Sequence, residues 1–226
     1  MIFLTIANCI IWTINSLAFW QVGILMPNYL IFANWIGIIP YIFIIPFIFL
    51  DFIPPWKEPK KHLLFIICAF LTTTDSVLEI LADPNTGGVV QTICSAAIPI
   101  PLTGLLTWLI FKRKPKLFEI IGSLIVIGAS ALMIFESNDI YVNWWIVAFI
   151  AGLSAGSFSS IIWEYSFITF NVSVAHLMAW TTLYSLPFYF LSIFVDSSKT
   201  ENVWAIEKAG FQCLMGTKPL PSGCLA

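Results

Sequence analysis

One predicted helix near the middle of the chain carries a row of polar side chains that could do chemistry. These residues recur at intervals of three and four positions, which places them on one face of a helix. They are Thr72, Asp75, Ser76, Glu79 and Asp83. The opposite face is leucine, isoleucine, phenylalanine and valine. An ionised carboxylate facing lipid costs at least ~2.5 kcal/mol, so we expect the polar face to line a protein interior or an aqueous cavity.

Two carboxyls on this face are the first candidates for a functional role. Asp75 and Glu79 are one helical turn apart, and two such charges repel each other strongly in a low-dielectric setting. One interpretation is a cavity wall that meets substrate or protons, with the pair as a proton-coupling group. The alternative is a polar seam that only hydrogen-bonds to neighbouring helices.

Three further polar residues inside apolar runs are secondary candidates for the same cavity. They are Asn15, Gln91 and His176. A hydrogen bond between packed helices is the commoner role of a lone polar side chain in such a run, so both interpretations stay open for each of them.

The elements that must position these residues are membrane-spanning helices. Of the 226 residues, 59% are hydrophobic and 10% charged, whereas soluble domains carry about 25% charge. A span needs roughly 20 apolar residues to cross the bilayer core. Seven runs qualify, at residues 2–25, 30–53, 63–82, 87–111, 117–135, 143–163 and 172–195. The expected surroundings are therefore a lipid bilayer, and the net charge of −2 excludes nucleic acid as a partner.

The connectors between the runs predict an orientation. Lysines lie at residues 57–61 and a basic cluster at residues 112–116, while the other connectors are acidic or neutral. Basic loops stay in the cytosol. This places the N-terminus in the cytosol and the tail after the seventh run in a lumen or outside the cell.

Two features of the sequence agree with this orientation. Cys213 and Cys224 lie in the predicted lumenal tail, where a disulfide can persist, and we expect them to bond to each other or to cysteines beyond the end. The Asn171-Val172-Ser173 sequon falls on the cytosolic side, so no glycan is expected there.

A match to the G-x-S-x-G nucleophile pattern lies within the sixth run, at residues 152–156. That pattern requires a strand, a turn and a helix, which a membrane span does not provide. Gly152 and Gly156 are instead predicted to form a small-residue surface for helix packing. With no metal-ligand cluster and no phosphate loop in the sequence, we expect no enzyme activity, no metal and no cofactor.

A weak internal repeat relates the first two runs to the last two. An offset of 145 residues places Trp35 on Trp180 and Asp51 on Asp196. A repeat of five spans inverts the second copy, which is typical of secondary transporters. The predicted organisation is a first five-helix repeat at residues 1–136, two helices of an inverted second repeat at 137–195, and a lumenal loop at 196–226.

The region around the fourth run resembles a known family. Residues 86–93 followed by residues 97–99 are similar to the Thr-Ser-Gly, Gln and Ile-Pro pattern of the chloroquine resistance transporter family, within the drug/metabolite transporter superfamily. The likeness continues into residues 117–122, where the family has an apolar pair and then a glycine. Asp75 falls where the family has an aspartate in its third helix, and Asn15 also looks like a family position.

The resemblance implies an architecture of ten helices in two inverted five-helix repeats. It implies proton-linked export of small solutes, such as peptides, amino acids or drugs, from an acidic vacuole, and hence a digestive-vacuole or lysosome-like location. The cavity residues would be Asp75 first, then Glu79, Gln91, Asn15 and His176.

The chain departs from this family pattern because it stops in the loop after the seventh run. We therefore expect it to be a fragment, to need a completing C-terminal segment or partner chain, or to be a non-transporting membrane subunit. The alternative within transport is a carrier of nucleotide sugars or other metabolites. No Lys or Arg lies inside any predicted span, which argues against a carrier of anionic phosphates.

Overall fold

The fold is described from a computed structural model of the chain. The structure describes residues 29, 32, 57–82, 86, 88–136, 144–196, 203–216 and 224. Within this part of the chain every regular element is an α-helix, so the predicted all-α class is confirmed there. The helices are α1 (Pro59–Ala82), α2 (Gly88–Ala97), α3 (Pro99–Phe111), α4 (Leu117–Glu136), α5 (Trp144–Phe170), α6 (Val174–Asp196) and α7 (Val203–Leu214).

Apolar helices dominate the described chain. The segments that are long and apolar enough to cross a membrane are Pro59–Ala82, Ile93–Phe111 and Trp144–Phe170. Leu117–Ala129 in α4 is a shorter apolar helix. Large apolar side chains such as Leu109 and Phe118 stay exposed on α3 and α4. A contiguous surface of this kind is unfavourable in water, and in a bilayer it meets acyl chains.

The fourth predicted span, expected to be continuous over residues 87–111, is two helices. The break is at Ile98, between α2 and α3. Pro99 at the start of α3 has no N–H to donate and cannot continue the ladder of hydrogen bonds. The ladder resumes at once, since the Leu102 N–H donates to the Ile98 carbonyl at 3.2 Å. The prediction of one uninterrupted helix is therefore corrected, although the segment still spans as one piece.

Two helix boundaries also differ from the predicted ones. α1 begins at Pro59 rather than at residue 63, because proline is favoured at a first helical position. The Glu58 carbonyl closes the first turn by accepting from the Lys61 N–H at 3.1 Å and the His62 N–H at 3.3 Å. α5 runs past the predicted end at residue 163 to Phe170.

A sharp turn joins α5 to α6. Asn171 has φ +49°, in the left-handed region that commonly terminates helices and that asparagine tolerates. The Ser173 hydroxyl then accepts the His176 backbone N–H at 3.3 Å, which satisfies one of the unpaired donors at the start of α6. Three residues therefore separate the end of α5 from the start of α6.

The chain divides into two compact units, a larger one of Pro40–Leu191 and a smaller one of Met1–Ile39 with Ser192–Ala226. In the larger unit α1 packs mainly along α5. One apolar cluster lies towards the N-terminal end of α1 and contains Phe65, Leu177, Ala179 and Trp180. A second lies at its C-terminal end and contains Ala82, Phe149 and Leu153.

These two clusters agree with the alternation of spans expected from the sequence. The first half of α5 packs beside the end of α1, and the α5–α6 connection lies beside the start of α1. The basic connector before α1 and the α5–α6 connection thus lie at the same end of the unit. Predicted spans one and two, at residues 2–25 and 30–53, are outside the described residues apart from Phe32, so the inverted repeat stays a prediction.

The smaller unit contains a helix that was not predicted in the tail at 196–226. This helix, α7, packs Ala209 and Cys213 against Tyr29 and Phe32. Gly210 allows the close approach, because a Cβ there would lie 2.8 Å from the Phe32 ring. The tail is therefore not only a loop; its apolar residues are spaced to cover an aromatic pair.

A disulfide joins Cys213 to Cys224 across a separation of 11 residues. Both cysteines pack against the Tyr29 and Phe32 cluster. The bond therefore holds Cys224, which lies beyond the end of α7, beside the same aromatic pair.

Replacing Cys213 by serine is expected to loosen α7 locally. A covalent loop of this length restricts the unfolded segment by about 3 kcal/mol. Amide hydrogen exchange over α7 should accelerate, while exchange in α1 and α5 should not change. Cys94→Ser is the matched control, since Cys94 is a free cysteine in α2. Unchanged exchange in α7 would show that the disulfide does not hold this helix.

Candidate functional site

The polar face of α1 packs against the small-residue face of α5. The two helices run antiparallel, so three successive turns of each face one another: Glu79 is beside Gly152, Asp75 beside Gly156, and Thr72 beside Ser159. Small residues let two helix backbones approach closely in a membrane. The sequence places both faces at helical spacing, and the structure brings them into register.

Asp75 occupies a notch that exists because residue 156 is glycine. A Cβ at Gly156 would lie 2.7 Å from the Asp75 Cγ and closer still to Oδ2. One turn away, a Cβ at Gly152 would lie 3.2 Å from the Asp75 carbonyl oxygen and 3.5 Å from the Glu79 Cγ. A side chain at residue 156 would displace the Asp75 carboxyl or push α1 and α5 apart, and one at residue 152 would press on the backbone of α1.

The carboxyl of Asp75 is buried in this notch without full satisfaction. Within the described residues, Asp75 Oδ1 is buried and has no hydrogen-bond partner. Leaving a buried acceptor unsatisfied costs about 1–3 kcal/mol, and an ionised one costs more. A proton, a cationic solute or a water molecule at this oxygen would remove the cost.

A hydrogen-bonded chain lies one turn along α1 from Asp75. The Thr72 hydroxyl donates to the Cys68 carbonyl at 2.9 Å, so its single proton is used. The Ser159 hydroxyl, 2.8 Å away, must then donate to Thr72 Oγ1. That leaves the Cys68 thiol, at 3.1 Å from Ser159 Oγ, as donor to Ser159. This part of the polar face is a satisfied seam between helices.

Ser76 connects the same face to α6. The Tyr189 hydroxyl donates to Ser76 Oγ at 3.1 Å. The polar face of α1 therefore looks towards both α5 and α6. Of its five members Asp83 lies outside the described residues. The four that the structure describes lie against α5 or α6.

A second cluster, which we call the histidine–aromatic cluster, lies near the start of α1. It consists of His62, Phe65, His176, Trp180 and Tyr184. His62 Nδ1 is 2.9 Å from the Tyr184 hydroxyl, and its ring contacts Trp180 edge-on with centroids 4.5 Å apart. His176 contacts Phe65 and Trp180, with centroids 6.5 and 6.3 Å apart.

This cluster separates His176 from the carboxyls with which the sequence grouped it. Phe65, its neighbour on α1, is ten residues from Asp75, or ~15 Å along the helix. His62 and Tyr184 were missed because His62 follows two lysines and was assigned to a connector. The signal available was Glu58-Pro59, a helix start that places His62 inside the first turn.

The remaining candidates fall elsewhere. Gln91 in α2 donates from Nε2 to Thr86 Oγ1 at 2.8 Å and to the Thr86 carbonyl at 3.2 Å, so it braces the approach to its own helix. Asn15 lies outside the described residues. The structure thus brings Asp75 and Glu79 together with Gly152 and Gly156, and places Gln91 and His176 in other surroundings.

Comparison with known proteins places the chain in a family. The model of the CRT-like family, described as chloroquine-resistance transporter-like, matches residues 1–224 of this chain. A comparison with curated protein sequences gives no significant match. The family match covers nearly all of the 226 residues, including every helix described above. With its apolar helices and its polar seam, the chain is an integral membrane protein that belongs to the chloroquine-resistance transporter-like (CRT-like) family.

Proposed function

We propose that this chain moves small solutes across a membrane in a proton-dependent manner, with Asp75 as the proton-coupling group. The observation that carries the proposal is the Asp75 carboxyl. The carboxyl fits between α1 and α5 because Gly156 has no side chain. Its Oδ1 has no hydrogen-bond partner among the described residues. A carboxyl kept from water and from counter-ions is stable when a proton or a cation is present.

Glu79 supports this role from the next turn. Its Cγ lies beside Gly152 on the same face. Two carboxylates one turn apart repel each other, so a proton on one carboxyl makes the ionised form of the other more favourable. A pair of this kind can release a proton when a cationic solute arrives, and take it back when the solute leaves, which is the exchange that coupled transport requires.

The solutes we propose are peptides, amino acids or small drugs, exported from an acidic vacuole. The charge of the seam supports solutes that carry an amine rather than a phosphate. In the described helices α1 to α6, the basic side chains are Lys60 and Lys61, both in the first turn of α1. Carriers of nucleotide sugars would need cationic groups deeper in the membrane.

Flux into proteoliposomes that contain the purified chain tests the proposal. Labelled amino acids, short peptides and small drugs are the probes, each with and without a pH gradient. Asp75→Asn should lower gradient-driven flux by about tenfold, because the amide keeps the shape that fits against Gly156 but cannot carry a proton. Glu79→Gln should have a smaller effect of the same kind.

Glu119→Gln is the matched control for these carboxyl changes. Glu119 is exposed at the start of α4 and accepts the Lys116 backbone N–H at 2.9 Å, far from the seam in sequence and structure. Its variant should keep wild-type flux and pH dependence. If Asp75→Asn kept the wild-type response to the gradient, Asp75 would not be the coupling group. Flux that appears only with an added C-terminal segment would identify the chain as one part of a transporter.

A further inference from the structure

A cavity of about 800 Å³ opens at the end of the larger unit where α1 and α6 begin. The connector before α1, residues 57–61, forms one side of it. The α5–α6 connection, residues 169–173, forms the other side, and His176 lies beneath. From Lys61 to Asp75 is 14 residues of helix, or ~21 Å, so this cavity is separate from the polar seam.

The cavity has a strongly positive lining. Lys57, Lys60 and Lys61 contribute to it, and among the described lining residues Glu58 is the one carboxylate. Glu58 is already paired, since its Oε2 lies 3.1 Å from the Lys61 ammonium. Lys57 and Lys60 are both exposed, so two ammonium groups remain to receive an anion. A cavity of this volume is within the range of small-molecule sites.

The backbone also contributes a positive electrostatic potential at this cavity. α1 begins at Pro59 and α6 at Val174, so the N-terminal ends of two long helices meet at one cavity. Each end carries a partial positive charge from its helix dipole. Several first-turn N–H groups already have partners, since Lys61 and His62 donate to the Glu58 carbonyl and His176 donates to Ser173 Oγ, so the ends act mainly through this charge. An anion placed between them interacts with both ends as well as with the lysines. The lysines and the helix ends therefore favour a phosphate over a neutral or cationic ligand.

The surroundings of the cavity favour a phosphate that belongs to a lipid. Within two turns of Lys60, α1 presents apolar side chains to the outside: Leu63 is 57% exposed, and Ile66 and Ile67 are also exposed. Across the cavity Ile168 is 65% exposed. The change from ammonium groups to apolar surface within a turn or two is that of a membrane interface, where acyl chains lie beside the apolar surface and headgroups beside the lysines.

We propose that this cavity binds the phosphorylated headgroup of an anionic phospholipid from the leaflet that faces the basic connectors. Lys57 and Lys60 contact the phosphate, and the starts of α1 and α6 complete its surroundings. The acyl chains extend along Leu63 and Ile67. Basic pockets between transmembrane helices recognise lipid headgroups in this way. The site is independent of whether Asp75 couples protons, because binding requires no transport.

Binding of defined lipids to the purified full chain in neutral detergent tests the proposal. The probe is dioctanoyl phosphatidylinositol 4-phosphate, measured by native mass spectrometry, with dioctanoyl phosphatidylcholine as the lipid of matched chains. We expect the phosphorylated lipid to bind at least tenfold more tightly. Glycerophosphoinositol 4-phosphate, which has the headgroup without chains, should bind more weakly than the lipid. Equal binding of the headgroup alone would overturn the assignment to a lipid.

Two variants locate the site. Removing a basic residue near a membrane surface weakens binding of anionic lipid roughly fivefold, so Lys57→Ala with Lys60→Ala should weaken it about twenty-five-fold. The matched control is Lys112→Ala with Lys114→Ala, which removes the same charge from the other basic connector. If the control weakened binding equally, lipid would be held by net charge and not by this cavity.

Thr169→Trp tests the space in the cavity without changing the charge of its lining. Thr169 is exposed and lines the cavity, so an indole there should occupy part of the space that a headgroup needs while every lysine remains. Binding of the phosphorylated lipid should fall at least tenfold with no change in thermal stability. Wild-type affinity in this variant would overturn the proposal, whatever the lysine variants showed.

Discussion

Replacing Gly156 by alanine is expected to be among the most damaging single-methyl changes in the described chain. The new Cβ would lie 2.7 Å from the Asp75 Cγ and would meet both carboxyl oxygens. Such a contact forces α1 and α5 to separate or the carboxyl to leave the notch. Overpacking of this kind costs about 2 kcal/mol, or roughly 4–8 °C in Tm for a chain of this size.

Thermal unfolding in detergent, followed by size-exclusion chromatography, measures this cost. Gly122→Ala is the matched control, because Gly122 is also helical and a Cβ there would have nothing within 4 Å. It should leave Tm unchanged or raise it, since alanine favours helix over glycine. Equal losses from the two variants would contradict the close contact at Gly156.

A double variant distinguishes the Asp75 contact from a general intolerance of Gly156. Asp75→Ala removes the carboxyl and makes room for a methyl at residue 156. The loss from Gly156→Ala should then be largely recovered, with a coupling of about 1–2 kcal/mol between the two sites. Strictly additive losses would mean that the new methyl clashes with something other than Asp75.

Replacing Phe65 by alanine is expected to disrupt the packing of α1 against α6. Phe65 is fully buried and contacts Leu177 and Trp180, with its ring beside His62 at a centroid distance of 5.6 Å. In soluble proteins Phe→Ala costs about 3–5 kcal/mol. In a membrane the released side chain stays in apolar surroundings, so mainly the cavity and lost-dispersion part remains, about 2 kcal/mol.

Phe118→Ala is the matched control for Phe65→Ala, because it removes the same side chain from an exposed position. Phe118 is the second residue of α4 and is 84% exposed, so its removal opens no cavity. We expect Tm to fall by several degrees for Phe65→Ala and by less than one third as much for Phe118→Ala. A second measurement is near-UV circular dichroism, which should change for Phe65→Ala because Trp180 loses a neighbour. Similar small losses from both variants would show that this cluster does not stabilise the unit.

The membrane helices were predictable from single residues and their spacing. Apolar runs of sufficient length fix where α1, α4, α5 and α6 lie, because no other structure satisfies the backbone inside a bilayer. Errors occurred where one residue overrides composition. Pro99 divides a continuous apolar run into α2 and α3, and Pro59 starts α1 four residues early. In the tail, α7 is short and only partly apolar, so length and hydropathy gave no signal for it.

The candidate site was predictable in part. Helical spacing grouped Asp75 with Glu79 on one face and Gly152 with Gly156 on another, since each pair is four residues apart. Spacing within a helix cannot decide which face of a second helix it meets, nor at what height. In the sequence His176 shares only its polarity with Asp75. The structure instead places it in a cluster with Tyr184 of the same helix and with His62, which lies far away in the chain beside two lysines.

The sequence by itself determined that this chain lies in a membrane, that its third predicted span carries a face which lipid excludes, and which connectors are basic. Those properties follow from local composition and from the periodicity of a helix. Only the tertiary structure decided that the polar face of α1 meets the glycines of α5, so that the Asp75 carboxyl fits where Gly156 has no side chain. It likewise decided that the basic start of α1 and the start of α6 meet at one cavity. Both results depend on the register between helices distant in the chain, and close packing between helices sets that register.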